Sequence, residues 1–327
     1  MRSRLLPLVP IGLLLLGACS TAPAPANPGE TATSTAGSYP LTVDNCGTSV
    51  TFDQAPERVL AIKSTSIEMM LALGVADRLV GIAFPDGPFA PEWEPESDLE
   101  VISERVPSQE ATLALEPDLV YAGWESNVTA DGAGDRDALA DLGVNTLVSP
   151  AACQEPEYQP NPLTWDDIFD EVNLVGDVFD VPDTAGALVE DFETRLEGIR
   201  LDERDLSALW YSSGTDTPFV GGGIGSPQLV LDTVGLSNIA SDLDVTWSSL
   251  SWEAVVDAEP DVIVLVDSEW NTAENKIEQL EGNPATAQLP AVKQSRYLVV
   301  PFPAGEAGVR SVEAAETISA DLAELEF

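Results

Sequence analysis

The chain has 327 residues, 44% of them apolar, with 56 acidic side chains against 14 basic ones and a formal net charge of −42. Such a charge excludes nucleic acid as a partner, because a polyanion is repelled throughout its approach. No histidine is present, which excludes Ser-His-Asp and Cys-His pairs and the imidazole sites that zinc, copper and iron favour.

Taken in chain order, Arg2 and Arg4 precede an apolar run from Leu5 to Leu16 that ends in Gly-Ala-Cys19. Residues 1–18 read as a lipoprotein signal peptide with Cys19 as the acylated residue; an ordinary secretory signal with an incidental cysteine is the alternative. Removing the two signal arginines leaves 12 basic against 56 acidic side chains, a mature charge of 12 − 56 = −44. Residues 19–38, rich in Ala, Pro, Ser, Thr and Gly, form a disordered tether. The segment LTVDNCGTSVTF reads as a β-hairpin. Cys46 and Cys153, the remaining cysteines, are expected to be bridged in an oxidising compartment, against the alternative of two buried free thiols.

The first α/β lobe, residues 39–165, is read as a strand at Arg58–Ile62, a helix at Ser66–Leu73 closed by Gly74, and a strand at Leu79–Ala83. A helix at Glu110–Leu115, a strand at Leu119–Ala122, a helix at Asp135–Leu142 and a strand at Thr146–Ser149 continue the βαβ pattern. Residues 166–203 are a helical segment. Within it, Thr184–Leu201 carries Leu188, Phe192, Leu196 and Ile199 at helical spacing and predicts a rigid strut capped by Asp183 or Thr184. The second lobe, residues 204–327, repeats the pattern with strands at Leu206–Tyr211, Phe219–Val220, Val262–Val266 and Tyr297–Val300. Its helices are placed at Pro227–Val234, Glu253–Ala258, Lys276–Glu281 and Val312–Leu325. One segment recurs almost letter for letter: the stretch from Glu110 to Asp118 against that from Glu253 to Asp261, with 253 − 110 and 261 − 118 both equal to 143. The expected fold is therefore α/β, two similar lobes with parallel-type central sheets joined by one long helix, and a ligand is expected in the groove between them.

Ligands of parallel α/β sheets meet the loops at the carboxyl ends of strands. In those loops lie Lys63, Ser64 and Thr65, then Phe84, Arg105 and Trp124, and in the second lobe Tyr211, Ser212, Ser213, Trp247, Trp270, Phe302 and Arg310. Lysine, hydroxyls and free helix N–H groups suit an anion, although the hydroxyls read equally well as helix caps. The aromatics, falling outside periodic apolar faces, suggest a stacking surface for a flat ligand whose negative groups meet Lys63, Arg105 and Arg310. The cluster Gly221 to Gly225 lacks both the P-loop ending and the dinucleotide spacing, and reads as a turn into a helix capped by Ser226. Glu110 and Glu253 start equivalent helices, which suits docking to a two-fold partner bearing basic residues; satisfying the helix dipole is the alternative. No catalytic residue, metal site or cofactor is assigned. A paired-acid surface enzyme stays formally open, but with 56 acids some pair is always close by chance.

APERVLAIKSTSIEMMLALGVADRLVG, ALEPDLVYAG, the strut, SPQLVLDTVGLSNIA, LSWEAVVDAEPDVIVLVD and LPAVKQSRYLVVPF together resemble the substrate-binding lipoproteins of ABC importers for iron-siderophores and cobalamin. The resemblance runs from Tyr39 to the end. It implies the helical-backbone periplasmic-binding-protein fold, no enzymatic activity, and a monomer lipid-anchored on the extracytoplasmic side of the cell membrane that delivers its ligand to a permease dimer with its ATPase. It also implies that Glu110 and Glu253 pair with permease arginines, that Trp124, Trp247 and Tyr211 line the ligand cleft, and that Arg310 is the aligned cleft arginine. IKSTSIE, YAGWESN, VSPAAC, WYSSGTDTPFVGGGIG and VPFPAGEAGVR are similar to an actinobacterial branch associated with a deazaflavin coenzyme precursor. A ferric siderophore or a corrinoid is the alternative ligand, and a signalling receptor without transport the more distant one.

Overall fold

The computed structural model describes residues 39–93 and 99–327, so the signal peptide, the tether and Cys19 lie outside the described residues. Among the described residues no helix is long and apolar enough to cross a membrane. The amino-terminal hairpin pairs β1 (Leu41–Asn45) with β2 (Thr48–Phe52) around Cys46 and Gly47. Cys46 is disulfide-bonded to Cys153 with Cα atoms 5.3 Å apart.

The first lobe follows as β3 (Val59–Ile62), α1 (Ser64–Ala72), β4 (Leu79–Ala83), β5 (Val101–Ser103), α2 (Gln109–Ala114), β6 (Leu119–Ala122), α3 (Arg136–Asp141) and β7 (Asn145–Val148). Its sheet is parallel throughout, in the order β5-β4-β3-β6-β7. Along β3, Val59 and Ala61 join one apolar cluster while Leu60 and Ile62 join the other, so the strand is buried on both faces and reads as an unbroken apolar run. The chain steps outward from β3 to β4 and β5, then returns to the other side of β3 with β6. That reversal opens a crevice beyond the carboxyl ends of β3 and β6, where Lys63 and Trp124 sit.

Two helices then lead out of the lobe, α4 (Trp165–Val178) and α5 (Pro182–Gly198). The expected strut at 184–201 is α5, displaced toward the amino terminus: Pro182 occupies the first turn, where its missing N–H costs nothing, and neither Asp183 nor Thr184 caps the helix. Ile199 is already extended and packs on the second lobe's core, while Ala185 and Phe192 are buried in the first. Arg195 Nε and Nη2 donate to the Glu316 carboxylate at 3.0 and 2.6 Å, fixing the far end of the strut to the closing helix.

The second lobe comprises β8 (Ser207–Ser213), β9 (Phe219–Gly221), α6 (Ser226–Val234), β10 (Ser237–Asn238), β11 (Trp247–Ser249), α7 (Trp252–Ala258), β12 (Val262–Asp267), α8 (Ala273–Gly282), α9 (Pro290–Lys293), β13 (Tyr297–Pro301), α10 (Phe302–Gly305) and α11 (Ser311–Glu324). Its sheet runs β11-β9-β8-β12-β13, with β10 beside β8. It is not parallel throughout: β9 is antiparallel to β8, and β11 to β9. The short glycine-containing stretch Gly214 to Pro218 allows only a hairpin return, because a parallel crossover takes a dozen residues or more.

The 143-residue repeat is structural as well as textual. Ser108 caps α2 by accepting from Ala111 N–H, and Ser251 caps α7 by accepting from Ala254 N–H. The repeated aspartates clip neighbouring strands: Asp118 accepts from the N–H groups of Glu57 and Arg58 at 2.8 and 3.0 Å, and Asp261 accepts from Ser207 N–H at 2.9 Å. Each carboxylate thereby satisfies donors that enter the central strand of its lobe.

Candidate functional site

The carboxyl ends of both sheets open onto one cleft of about 730 Å³. The first lobe contributes Phe84 and Pro85 after β4, Glu104 and Arg105 after β5, and Trp124 after β6. From the second come Ser212 and Ser213 at the end of β8, Phe219 and Trp247 from the edge strands, Glu269 and Trp270 after β12, and Phe302 and Glu306 after β13. Adjoining it is an inner chamber of about 390 Å³ that shares Trp124, Trp247 and Glu306 with the cleft and is also lined by Thr65, Cys153 and Ser226 among others. The six rings of the outer cleft pair with one another: Phe219 and Trp247 stack at 6.1 Å with planes 13° apart, while Trp270–Phe302 and Phe84–Trp124 meet edge to face at 5.2 and 6.2 Å. Ring pairs of this kind hold one another as a preformed apolar wall.

Lys63 is not at the surface of that wall but behind it. Its side chain is fully buried, its ammonium pairs with the buried Asp86 carboxylate, and it lies 3.4 Å from the Trp124 ring centroid, 4.9 Å from Phe84 and 4.7 Å from Phe302. Removing an ammonium from water is tolerable only with a counter-charge and polarisable faces around it, and this pocket supplies both. Lys63 has φ 83° and Phe84 φ 50°, conformations unusual for side chains of their size, directly after β3 and β4. The close approach also explains Gly123, where a Cβ would fall 2.3 Å from Thr65 Oγ1.

Arg310 is likewise withdrawn. It is 5% exposed, donates to Pro88 C=O at 3.0 Å and to both Glu313 carboxylate oxygens, and faces Glu68 at 3.4 Å. Burial pushes the Glu68 carboxyl up to about 8, with Arg310 pulling against that rise. Arg310 thus clamps α11 to the first lobe and does not line the cleft. Tyr211 is absent from the lining too: side chains alternate along β8, so Tyr211 faces the α7 side, where it meets Trp252 at 5.3 Å and donates to Gly214 C=O. Of the three cations placed in the groove by sequence, Arg105 alone lines it.

The hydroxyls have separate fates. Ser64 Oγ accepts from Asp86 N–H and ties the loop after β4 to α1, whereas Ser66 Oγ donates back to Ile62 C=O at 2.7 Å. Thr65 Oγ1 is buried beside the inner chamber without a hydrogen-bond partner. Ser226 does not cap α6; Gly225 holds the cap position, and the Ser226 hydroxyl is buried without a partner at the same chamber. The glycine cluster is a turn into that helix, and its composition follows from close approach: a Cβ on Gly222 or Gly223 would come within 2.1 Å of the carbonyls of Val245 and Ser241. Phosphate is not what those glycines approach.

Several cleft residues were not foreseen from sequence. Glu104 and Glu269 adjoin Arg105 and Trp270, so their loop positions carried the signal. Glu306 carried none: it accepts from Trp124 Nε1 at 2.6 Å, joining the lobes across the floor, and burial raises its carboxyl pKa while Lys63 opposes that rise. Phe219 likewise enters only through tertiary placement, as does Asp86 behind the wall. Glu110 and Glu253 are both exposed in the first turns of α2 and α7. Among the described residues no group of three or more His, Cys, Asp or Glu is placed to hold a metal ion.

The chain matches the periplasmic binding protein family over residues 59–304. It is 24% identical over 297 residues to the ABC transporter substrate-binding lipoprotein YvrC of Bacillus subtilis, covering 86% of this chain and 85% of that one. It is 28% identical over 216 residues to the vitamin B12-binding protein of Yersinia pestis, covering 65% and 70%. Among solved structures, that of an ABC-type Fe3+-hydroxamate transport system from Saccharomonospora viridis superposes with a TM-score of 0.73 at 28% identity, covering 87% of this chain and 99% of that one. Two sheets opening onto a shared cleft, joined by a single strut and matched over three quarters of the chain, make this protein a member of the periplasmic binding protein family, a solute-binding protein rather than an enzyme.

Proposed function

We propose that this protein is the extracytoplasmic substrate-binding component of an ABC importer, holding a bulky, partly aromatic organic ligand in the interlobe cleft and presenting it to a membrane permease. The observation that carries this reading is the cleft of about 730 Å³ walled by six aromatic rings drawn from both lobes. Its volume suits a large ligand, and apolar walls with few placed polar groups are the usual form of such sites. Glu110 and Glu253, exposed on equivalent helices, are proposed as the contacts to permease arginines. Anchoring through a lipid on Cys19 belongs to the same proposal.

A flat deazaflavin-type precursor fits the rings, and a ferric siderophore or a corrinoid is equally supported, since relatives carry vitamin B12 and Fe3+-hydroxamate in their names. The expectation of an anionic ligand is weakened, because Lys63 and Arg310 are neutralised by their own carboxylates. Native mass spectrometry of the mature protein against deazaflavins, ferric siderophores and corrinoids tests the reading. A one-to-one complex with a member of the panel, lost in Trp247→Ala, supports it; no complex with any member overturns it.

A further inference from the structure

Resting on the reading of the cleft as a ligand site, we propose that it selects ligands carrying a positive charge and rejects anions of the same shape. Among the described residues, the charged groups lining the outer cleft are Glu104, Glu269, Glu306 and a single cation, Arg105. Of the three carboxylates, only Glu306 is engaged by a cleft ring, accepting from Trp124 Nε1. The inner chamber adds Glu125, whose carboxylate accepts from Gln154 N–H, and, among the described residues, no Lys or Arg. The lining is therefore acidic on both levels, set within a chain of net charge −42. An anion entering it gains one arginine and meets Glu104 and Glu269, both exposed, and the half-buried Glu306, so the charge balance at the lining disfavours it, with salt attenuating the effect at the exposed positions.

The rings divide into two groups. Phe84, Trp124 and Phe302 already face the Lys63 ammonium from behind, so a second cation over them would meet rings already polarised by one. Phe219, Trp247 and Trp270, on the second lobe, face no protein cation among the described residues. Trp270 is 57% exposed beside Glu269, on a loop held by Lys276, which donates to Val266 C=O at 2.6 Å and to Asn271 C=O. An aromatic face next to a carboxylate on a stapled loop is the arrangement that takes an organic cation, the ring facing the charge and the carboxylate neutralising it. The second-lobe wall is accordingly where the ligand's positive group sits.

The test uses two flat tricyclic dyes of similar size and opposite charge, cationic thionine and anionic resorufin, titrated into the mature protein by equilibrium dialysis at physiological ionic strength. Thionine is expected to bind about tenfold or more tighter than resorufin, the factor that one well-placed cation–π and carboxylate contact supplies. Glu269→Gln should weaken thionine severalfold without weakening resorufin, while Asp141→Asn, an exposed acid on α3 remote from the lining, should change neither. Equal affinities, or equal effects of the two substitutions, overturn the charge selection. They leave the transport reading standing if a panel ligand still binds in the cleft; if neither dye nor any panel member binds, both fall.

Discussion

Replacing Lys63 by Met separates a ligand contact from a buried structural ion. In the structure Lys63 is fully buried against Asp86, which is 1% exposed. Deleting the ammonium leaves a carboxylate in an apolar, aromatic surrounding with no counter-charge, a change that typically costs about 3 to 5 kcal/mol. The double variant Lys63→Met with Asp86→Ala removes both charges and should recover most of that loss, since replacing a buried ion pair as a whole is often close to neutral. Urea unfolding followed by near-ultraviolet circular dichroism reads all four corners of the cycle. The three rings around the ammonium lose their cation in either variant while every residue lining the cleft is kept, so ligand affinity changes far less than the stability of the single variant does. If Lys63→Met unfolded within 1 kcal/mol of the parent, a threshold on the order of an ordinary surface change, while losing all ligand binding, the assignment of Lys63 to the interior would be refuted.

Three further outcomes are expected. Replacing Cys46 and Cys153 by Ser opens a loop with a sequence separation of 107, and chain-entropy arguments put the loss at about 4.8 kcal/mol; denaturant midpoints with and without reductant measure it, and equal midpoints reject it. Glu171 is buried, accepts from Tyr121 OH and Ser149 OH, and is pushed up to about 7 by burial. Its folded pKa lies above its unfolded value, so the folded state holds a proton that the unfolded state has lost, and stability falls as pH rises from about 4.5 to 7. Glu171→Gln should flatten that fall and leave the variant more stable than the parent at pH 8 by about 3 kcal/mol; parallel pH profiles by thermal melting would count against it. Glu110→Ala with Glu253→Ala should leave ligand affinity unchanged and change stability by less than about 1 kcal/mol per helix, while uptake into cells drops; normal uptake discards the docking role.

How much was legible depended on whether a feature is local. Gly235 closes α6 with φ 82° where the apolar period stops, and β4 and β6 end where sequence places them, because apolar runs and turn residues act over a few positions. The strut's start shifted because proline at the first turn outranks a following cap. Tyr211 was misplaced for a different reason: a strand end looks the same from either face, and the alternation along β8 sends its ring into the core. Short edge strands such as β11 and β5 gave no periodic signal to read, being three residues each.

By itself, then, the sequence determined the two-lobed plan, the repeat offset by 143 residues, the cysteine pair and the loops from which the cleft is made. Burial and charge pairing were decided only by tertiary structure. Whether Lys63 and Arg310 face solvent or a carboxylate depends on Asp86, on Glu68 across the lobes, and on Glu313 one turn along the same helix. A lysine after a strand looks the same in sequence whether it greets a ligand or hides beneath three rings. Its environment is assembled from segments far apart in the chain, Phe302 lying 302 − 63 = 239 residues from Lys63 and Trp124 between them in sequence, and in a dry interior the charge must find its partner there or not be charged at all.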